Sequence, residues 1–343
     1  MKNRPTPRTK AVKVEDEDTL VEQFQRIQSG TALAGSPNKS LQVAIGDDAA
    51  VWRPRAGQET ILTCDWFLEG THFLVNRHPP ESIGWKCLVR ASSDVTAMGA
   101  QPRCFLLSLA LPSTRAGAWL EQFLHGLKRA SRALQCPLAG GDTTRSNEIL
   151  VNITVVGECK RGRAILRSGA HAGDAIFVTG RLGEAEYGLR LLQRAPKRVD
   201  TPDKRLRKHL FPEPRLAAGL WLAKNGLVTA MMDLSDGLSS DLPRLCKASA
   251  VGARIQRDLL PCVAIAGRHS LKRFDATEFA LHGGDDYELL FTAAPKTVAR
   301  IPSTIGRVLI TRIGEITSHK SILLTGESGV TEKLQNKGWD PFR

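Results

Sequence analysis

The sequence predicts a two-domain protein in which each domain mixes strands and helices, and three observations predict it. A chain of 343 residues exceeds what one hydrophobic core organises. Apolar runs of strand length mix with helical patterns, without the regular repeat of a fully parallel, doubly wound sheet. A new buried strand, 175–179, opens just after Ala172-Gly173-Asp174, which places the boundary at 160–172. The expected organisation is a mobile basic tail over 1–14, an N-terminal α/β unit over 15–165 and a C-terminal α+β unit over 166–343.

The elements follow in order. Glu15–Asp18 precede an apolar pattern at Leu20, Phe24 and Ile27, which predicts a first helix with acids at its positive end. Short strands are expected at 41–45, 50–53 and 60–64. Ile83, Cys87 and Ala91 share one helical face, with Leu88 and Val95 beside it, predicting a helix from Pro80 to Ala97. A strand at 104–111 and a helix at 116–134 follow, and alternating Ile149, Val151, Ile153 and Val155 predict another strand. In the second unit, helices are expected at 183–193, 213–224 and 238–248. Strands are expected there at 175–179, 228–232, 252–256, 278–281, 288–293 and 306–314. The polar, proline-bearing segment 194–209 reads as a surface excursion.

Composition narrows the function. The net charge of +13 would suggest nucleic acid or an anionic membrane, but residues 1–13 carry +5 and residues 190–209 carry +6, leaving +2 for the rest. The longest apolar stretch, 105–111, is far short of a membrane span, and the first thirty residues lack the apolar core of a signal peptide. Seven cysteines without a Cys-x-x-Cys pair point to reduced thiols in a cytoplasmic protein.

The informative pattern is an apolar run closing on an aspartate, repeated. It occurs at Gly46-Asp47-Asp48, at Asp65, at Gly140-Gly141-Asp142, at Asp233-Leu234-Ser235-Asp236 and at Gly283-Gly284-Asp285-Asp286. Asp94 joins from the C-terminal half of the predicted helix 80–97, where the helix dipole does not favour a carboxylate. Singly, such residues are turn formers or N-caps. Six repetitions with few Lys or Arg in the same motifs call for a counter-charge. Hard divalent cations with oxygen ligands supply one, and Mg²⁺ bound with substrate phosphates points to polyphosphate chemistry. Common nucleotide loops are absent, and Gly180-x-x-Gly183 is more simply a tight turn than a phosphate turn. ATP would therefore be held through metals and scattered donors such as Arg167 and Ser235. His72 alone reads as a structural hydrogen-bonder. Trp339 reads as a hydrophobic latch, or as a ring that could stack on a planar ligand.

Taken together, eight ordered stretches resemble the thiamine-monophosphate kinase family of the aminoimidazole-ribonucleotide synthetase-like superfamily. They are IGDDAAV (45–51), TCDWFLEGTHF (63–73), SSDVTAMGAQP (92–102), AGGDTTR (139–145), RSGAHAGDAIFVTGRLG (167–183), DLSDGLSSDL (233–242), GARI (252–255) and GGDDYELLFT (283–292). The resemblance implies the superfamily's two-domain fold, with mixed sheets flanked by helices. It implies Mg²⁺ ions held by Asp48, Thr63, Asp65, Asp94, Asp142 and Asp233, with position 64 joining through whatever donor Cys64 has and Asp236 near a further metal. It implies ATP contacts from Gly141, Asp142, Arg167 and Ser235, and thiamine monophosphate contacts from His72, Asp285 and Trp339. Asp142, Asp65 and Asp94 would carry the catalytic burden. A homodimer paired through the N-terminal sheet is also implied.

The implied reaction is direct in-line transfer of the ATP γ-phosphoryl group to thiamine monophosphate. The acceptor is already ionised near neutral pH, so no general base is needed. Four positions depart from the family pattern. Cys64 stands for Thr, and a thiol is a poorer Mg²⁺ ligand. Asp285 stands for Glu, one methylene longer; Pro341 replaces His in the family's terminal motif, here Gly338-Trp339-Asp340-Pro341-Phe342; Thr96 stands where Ala is common. The alternatives are a sister ATP-dependent enzyme acting on another small substrate and, from another class, a basic nucleic-acid-binding module. Against the module stand the 6% aromatic content and the absence of a recognised motif.

Overall fold

The computed structural model describes residues 24, 40–45, 47–195, 203–265, 274–326 and 328–342. The basic tail and the expected first helix lie outside these residues, except Phe24, which is helical and packs into the N-terminal core.

In the N-terminal half, β1 (Leu41–Val43) and β2 (Val51–Trp52) form a small antiparallel pair. The main sheet is built from β3 (Gln58–Leu68), β4 (Gln101–Leu111), β5 (Leu138–Arg145) and β6 (Leu150–Lys160), in the order β3-β6-β4-β5. Helix α1 (Pro80–Ala97) connects β3 to β4, and α2 (Ala118–Leu134) is the crossover between the parallel strands β4 and β5. The alternation along β4 and β6 sends Phe105, Leu107, Leu109, Val151, Ile153 and Val155 onto one face, where they meet Ile83, Leu88, Phe123 and Leu127. None of these ten side chains is more than 2% exposed.

Helix α1 starts with Pro80 in its first turn, where a missing N–H costs nothing. It stops in a Schellman motif: Ala100 N donates to the Val95 carbonyl, Gly99 N donates to the Thr96 carbonyl, and Gly99 takes a φ of 70°. Fourteen of its 18 residues are buried. That is more than an amphipathic surface helix can bury, because α1 packs on both halves of the protein.

The C-terminal half contains β7 (Ala175–Thr179), α3 (Glu184–Arg194), α4 (Arg207–Leu210), α5 (Leu216–Asn225), β8 (Ala230–Leu234), α6 (Leu238–Ala248) and β9 (Gly252–Gln256). These are followed by α7 (Ala276–His282), β10 (Glu288–Ala293), β11 (Thr304–Ile305), β12 (Val308–Thr317), β13 (Ile322–Thr325) and β14 (Thr331–Lys333). The sheet runs β14-β13-β9-β12-β7-β10-β8, with β11 paired to β12 and only β9–β13 parallel. Strands β7, β8 and β10 are buried along their whole length, which explains their continuous apolar runs. One face packs Ile176, Val178, Met232 and Leu290 against Leu238, Leu242 and Leu245 of α6. The other packs Phe177, Met231, Leu289 and Phe291 against α5 and against Ala97 at the end of α1.

Three expectations are corrected. The segment expected as a strand at 278–281 is helical, because the Asp275 carboxylate accepts the Thr277 and Glu278 N–H groups and caps α7. The segment 194–209 is not wholly a surface excursion: residues 196–202 lie outside the described residues, but Leu206, His209 and Leu210 are buried, the two leucines against Leu192. Asp65 and Asp142 do not end their strands, since β3 and β5 run through them.

Helices α1 and α2 approach at two glycines. A Cβ at Gly126 would lie 1.9 Å from the Glu81 carbonyl oxygen, and one at Gly84 would lie 1.9 Å from that of Phe123. Gly126→Ala should therefore cost about 1–3 kcal/mol by overpacking. Gly326→Ala, where nothing lies within 4 Å, should stay within about 0.5 kcal/mol of the parent. Urea unfolding of both variants checks the difference.

A cleft between the two halves as candidate active site

A cleft of about 910 Å³ opens where the two halves meet. His72 enters it from the loop after β3 and Arg90 from α1; Ser235 and Asp236 come from the turn after β8, Asp285 and Tyr287 from the approach to β10, and Trp339 from near the C-terminus.

Beside the cleft, the acids of β3, α1 and β8 gather. Thr63 Oγ1 donates to Asp94 Oδ2 at 2.6 Å, and Arg90 Nε donates to Asp65 Oδ2 at 3.1 Å. Burial first, then the charges of Asp94, Asp241 and Asp65, push Asp233 up to about 8. Burial also raises Asp65; Asp94 and Asp236 add to this while Arg90 opposes it. Among the described residues, no three His, Cys, Asp or Glu side chains stand together closely enough to hold a metal ion. The electrostatic demand nevertheless fits one: neighbouring carboxylates, with burial disfavouring the anion of Asp233, are oxygen donors for a hard cation.

Few Lys or Arg lie within these motifs, but cations from elsewhere in the chain reach them. Arg90 reaches Asp65, Lys86 reaches Asp285 and Arg244 reaches Asp236, each from a different stretch of chain. Asp241 fixes the 235–236 turn by accepting the Ser235 and Asp236 N–H groups at 3.1 and 3.0 Å, and burial raises it to about 7. The Asp236 carbonyl accepts the Trp339 N–H at 2.9 Å. Trp339 is not a buried latch. Its ring is 46% exposed at the cleft, where it can meet a planar ligand.

Asp48, Gly141 and Asp142 lie elsewhere, in a second cleft of about 860 Å³ on the other face of the N-terminal sheet. Cross-strand register places Asp142 opposite Ser108, Ser108 opposite Asn152 and Asn152 opposite Trp66, so these residues share one face. Asp65, next to Trp66, points the opposite way, toward α1. Three strand spacings, about 14 Å, separate β3 from β5. Cys64 shares the outer face, exposed, with Asn152 Nδ2 donating to its sulfur at 3.2 Å. Gly141 is required there, since a Cβ would lie 1.9 Å from the Leu107 carbonyl oxygen. Arg167 is exposed and lines neither cleft. The Gly180–Gly183 turn is not a phosphate turn: Asp286 accepts the Gly183 and Ala185 N–H groups at 2.5 and 3.0 Å, filling the N-terminus of α3 with the protein's own carboxylate.

Several residues in or directly behind the main cleft belong to none of the assigned motif positions. Lys86, 1% exposed at its side chain, donates from Nζ to Asp285 Oδ2 at 2.7 Å, and Tyr287 OH donates to Oδ1 at 2.6 Å. Burial opposes ionisation of Asp285, but Lys86, His209 and Arg90 hold it well below the usual carboxylate range. His209 contacts Lys86 Nζ at 3.4 Å through Nδ1 and His78 Nε2 at 2.9 Å through Nε2. His72 Nδ1 accepts the Leu68 N–H at 3.0 Å, and burial, then Arg90, lower it to about 4, so it presents a neutral imidazole. One signal was available in the sequence: Lys86, Arg90 and Asp94 recur every four residues, forming a charged stripe on an otherwise buried helix.

Comparison with known proteins adds identity to this geometry. The family model for the AIR synthase related protein N-terminal domain matches residues 46–159, and that for its C-terminal domain matches 171–326. The chain is 37% identical over 304 residues to a thiamine-monophosphate kinase of Synechococcus elongatus, covering 87% of this chain and 91% of the relative. The solved thiamine-monophosphate kinase of Stenotrophomonas maltophilia superposes with a TM-score of 0.78 at 35% identity, over 91% of this chain and 97% of that one. AaThiL complexed with AMPPCP and TMP superposes with a TM-score of 0.73 at 30% identity, over 98% of this chain and all of that one.

The buried histidines give the fold an acid limit. Burial, then Lys86, lowers His78 to about 4, below its ordinary 6.5. Between those values the unfolded chain binds a proton that the folded chain does not, so stability falls as pH falls through this window. His78 alone should remove about 3 kcal/mol from pH 7 to pH 4. Urea unfolding at stepped pH should show a shallower acid limb in His78→Gln.

Proposed function

The chain belongs to the AIR synthase related family and, within it, to the thiamine-monophosphate kinases, and on that premise we propose the following reaction. It transfers the γ-phosphoryl group of ATP to thiamine monophosphate, producing thiamine diphosphate and ADP. The observation that carries this reading is the cleft itself. Three carboxylates, Asp65 paired with Arg90, half-buried Asp94 and buried Asp233, adjoin a compartment lined by the substrate-facing candidates His72, Asp285 and Trp339.

The residues divide the work. Trp339 offers a half-exposed ring to the planar part of the acceptor, while His72 and Asp285 offer a neutral imidazole and a fixed anion. Ser235 and Asp236 are held by Asp241 at the side where donor phosphates would lie. Thr63, Asp65, Asp94 and Asp233, with Asp236 nearby, are the groups that would hold Mg²⁺. When bound, Mg²⁺ offsets the repulsion between donor and acceptor phosphates and the charge on the transferring group. No residue has to create a nucleophile, since the acceptor monoester is already ionised. Arg167 remains a candidate for the outer phosphates of ATP, and Cys64 a ligand only through its backbone.

We also propose that the active form is a homodimer closed through the N-terminal sheets. Leu62, Trp66 and Leu106 on the outer face are 69%, 54% and 38% exposed. Within the described residues, β3 and β5 are the edges of the four-stranded sheet. Closing two such sheets edge to edge would set one copy's β5 beside its partner's β3. Asp48, Gly141 and Asp142 of one copy would then lie near the strand that carries the partner's acid set.

The reaction is tested by incubating the protein with ATP, Mg²⁺ and thiamine monophosphate and detecting thiamine diphosphate directly; thiamine should yield no product. Asp65→Asn and Asp142→Asn should each lower turnover by orders of magnitude. A one-to-one mixture of the two variants, about half of it mixed dimers with one intact site each, should recover about a quarter of the parental activity if the ligand sets combine across the interface. No recovery in mixed dimers would sink the shared site, and absence of thiamine diphosphate from the parent would sink the reaction.

A further inference from the structure

We infer that Arg90 grips the acceptor phosphate, making it a substrate-binding residue and a source of the preference for the monophosphate over thiamine; this rests on the reaction proposed above. Among the described residues, three Lys or Arg side chains line the main cleft: Arg90, Arg190 and Lys337. Arg190 is 51% exposed at its side chain and paired with Glu186 at 2.6 Å, and Lys337 is 60% exposed and faces Glu278 at 3.9 Å. Both sit at the rim and are compensated locally. Arg90 sits deep, with 20% of its side chain exposed, between Asp65 on one side and the Asp285–Tyr287 pair on the other.

The geometry of its hydrogen bonds leaves room for an anion. A guanidinium has five N–H donors in a planar fork. Nε donates to Asp65 Oδ2, and among the described residues the four N–H groups on the two Nη atoms have no hydrogen-bond partner. Asp285, the other anion within reach, already receives Lys86 on one oxygen and Tyr287 on the other. A phosphate monoester is the ligand chemistry that suits this remaining fork, because it can accept two parallel N–H bonds. It would also stand between the acid group of Asp65 and the substrate-facing residues His72 and Asp285, where a phosphoryl acceptor belongs. Thiamine, without the phosphate, leaves the fork unsatisfied.

The test is binding to the full chain in EDTA, so that no divalent metal contributes. Calorimetric titration of the parent should favour thiamine monophosphate over thiamine. Arg90→Gln, which removes the two Nη groups but puts an amide N–H where Nε donates to Asp65, should lose about tenfold to a hundredfold of that preference by weakening the monophosphate alone. Arg90→Lys should restore part of it. In turnover with ATP and Mg²⁺, the KM for thiamine monophosphate should rise in Arg90→Gln. An unchanged preference in a folded Arg90→Gln, or a parent without preference, would overturn the assignment. The parent's formation of thiamine diphosphate is scored separately, so failure of the reaction and failure of Arg90 are distinguishable. If Arg90→Gln does not fold, the parent decides: thiamine monophosphate should protect Arg90 from phenylglyoxal in a peptide map, while thiamine should not. Equal modification under both ligands would overturn the role.

Discussion

The arrangement depends on the ion pair between Lys86 and Asp285. Lys86 belongs to a helix of the N-terminal half and Asp285 to a turn of the C-terminal half, and they meet at 2.7 Å with the lysine almost wholly out of water. Burying an ammonium group is costly, and burial pulls Lys86 below its ordinary value while Asp285 pulls it back. The pair persists because each side is satisfied again: Tyr287 takes the second carboxylate oxygen and His209 adjoins the ammonium. A buried pair of this kind does more for register than for stability. It admits one placement of the C-terminal turn over α1, and that placement forms the cleft.

From α1 outward the site can be read as one stripe. Lys86 addresses Asp285, Arg90 addresses Asp65, and Asp94 adjoins Thr63 and raises Asp233. Each residue one turn further along the helix therefore meets the next functional layer, from acceptor pocket to acid cluster. The helix can carry three charged residues in its interior only because both halves supply partners for them. Its glycine contacts with α2 and its Schellman stop at Gly99 fix where that stripe lies along the axis.

Long periodic elements were legible from the residues alone. Helix 80–97 and strands 175–179, 252–256 and 288–293 have the expected bounds, because apolar period and flanking turns agree there. The strand expected at 278–281 was not, since a short apolar run is ambiguous until the cap at Asp275 is weighed. The aspartates were legible as a set, through their repetition, but not their division between two faces of a sheet. One residue of register decides the face, and Asp65 and Trp66 are neighbours in sequence. Lys86 meets Asp285 across 199 residues of chain and His209 meets Lys86 across 123, and no local pattern announces partners at that distance.

Asp285 shows how the departures from the family pattern bear on mechanism. Its side chain is short, yet Asp285 and Tyr287 both take positive φ values, 68° and 49°. Aspartate tolerates that region better than most residues, and the tyrosine accepts the strain because its hydroxyl is bonded to the carboxylate. On this backbone the carboxylate meets Lys86 at 2.7 Å and Tyr287 at 2.6 Å. Each oxygen keeps a lone pair after binding Lys86 and Tyr287, so Asp285 can still accept a hydrogen bond from a substrate donor. It stays ionised while doing so, because the surrounding cations favour the anion more than burial disfavours it. The aspartate, the strained turn and the buried lysine are therefore parts of one solution, and substituting any of them alone should disturb the other two.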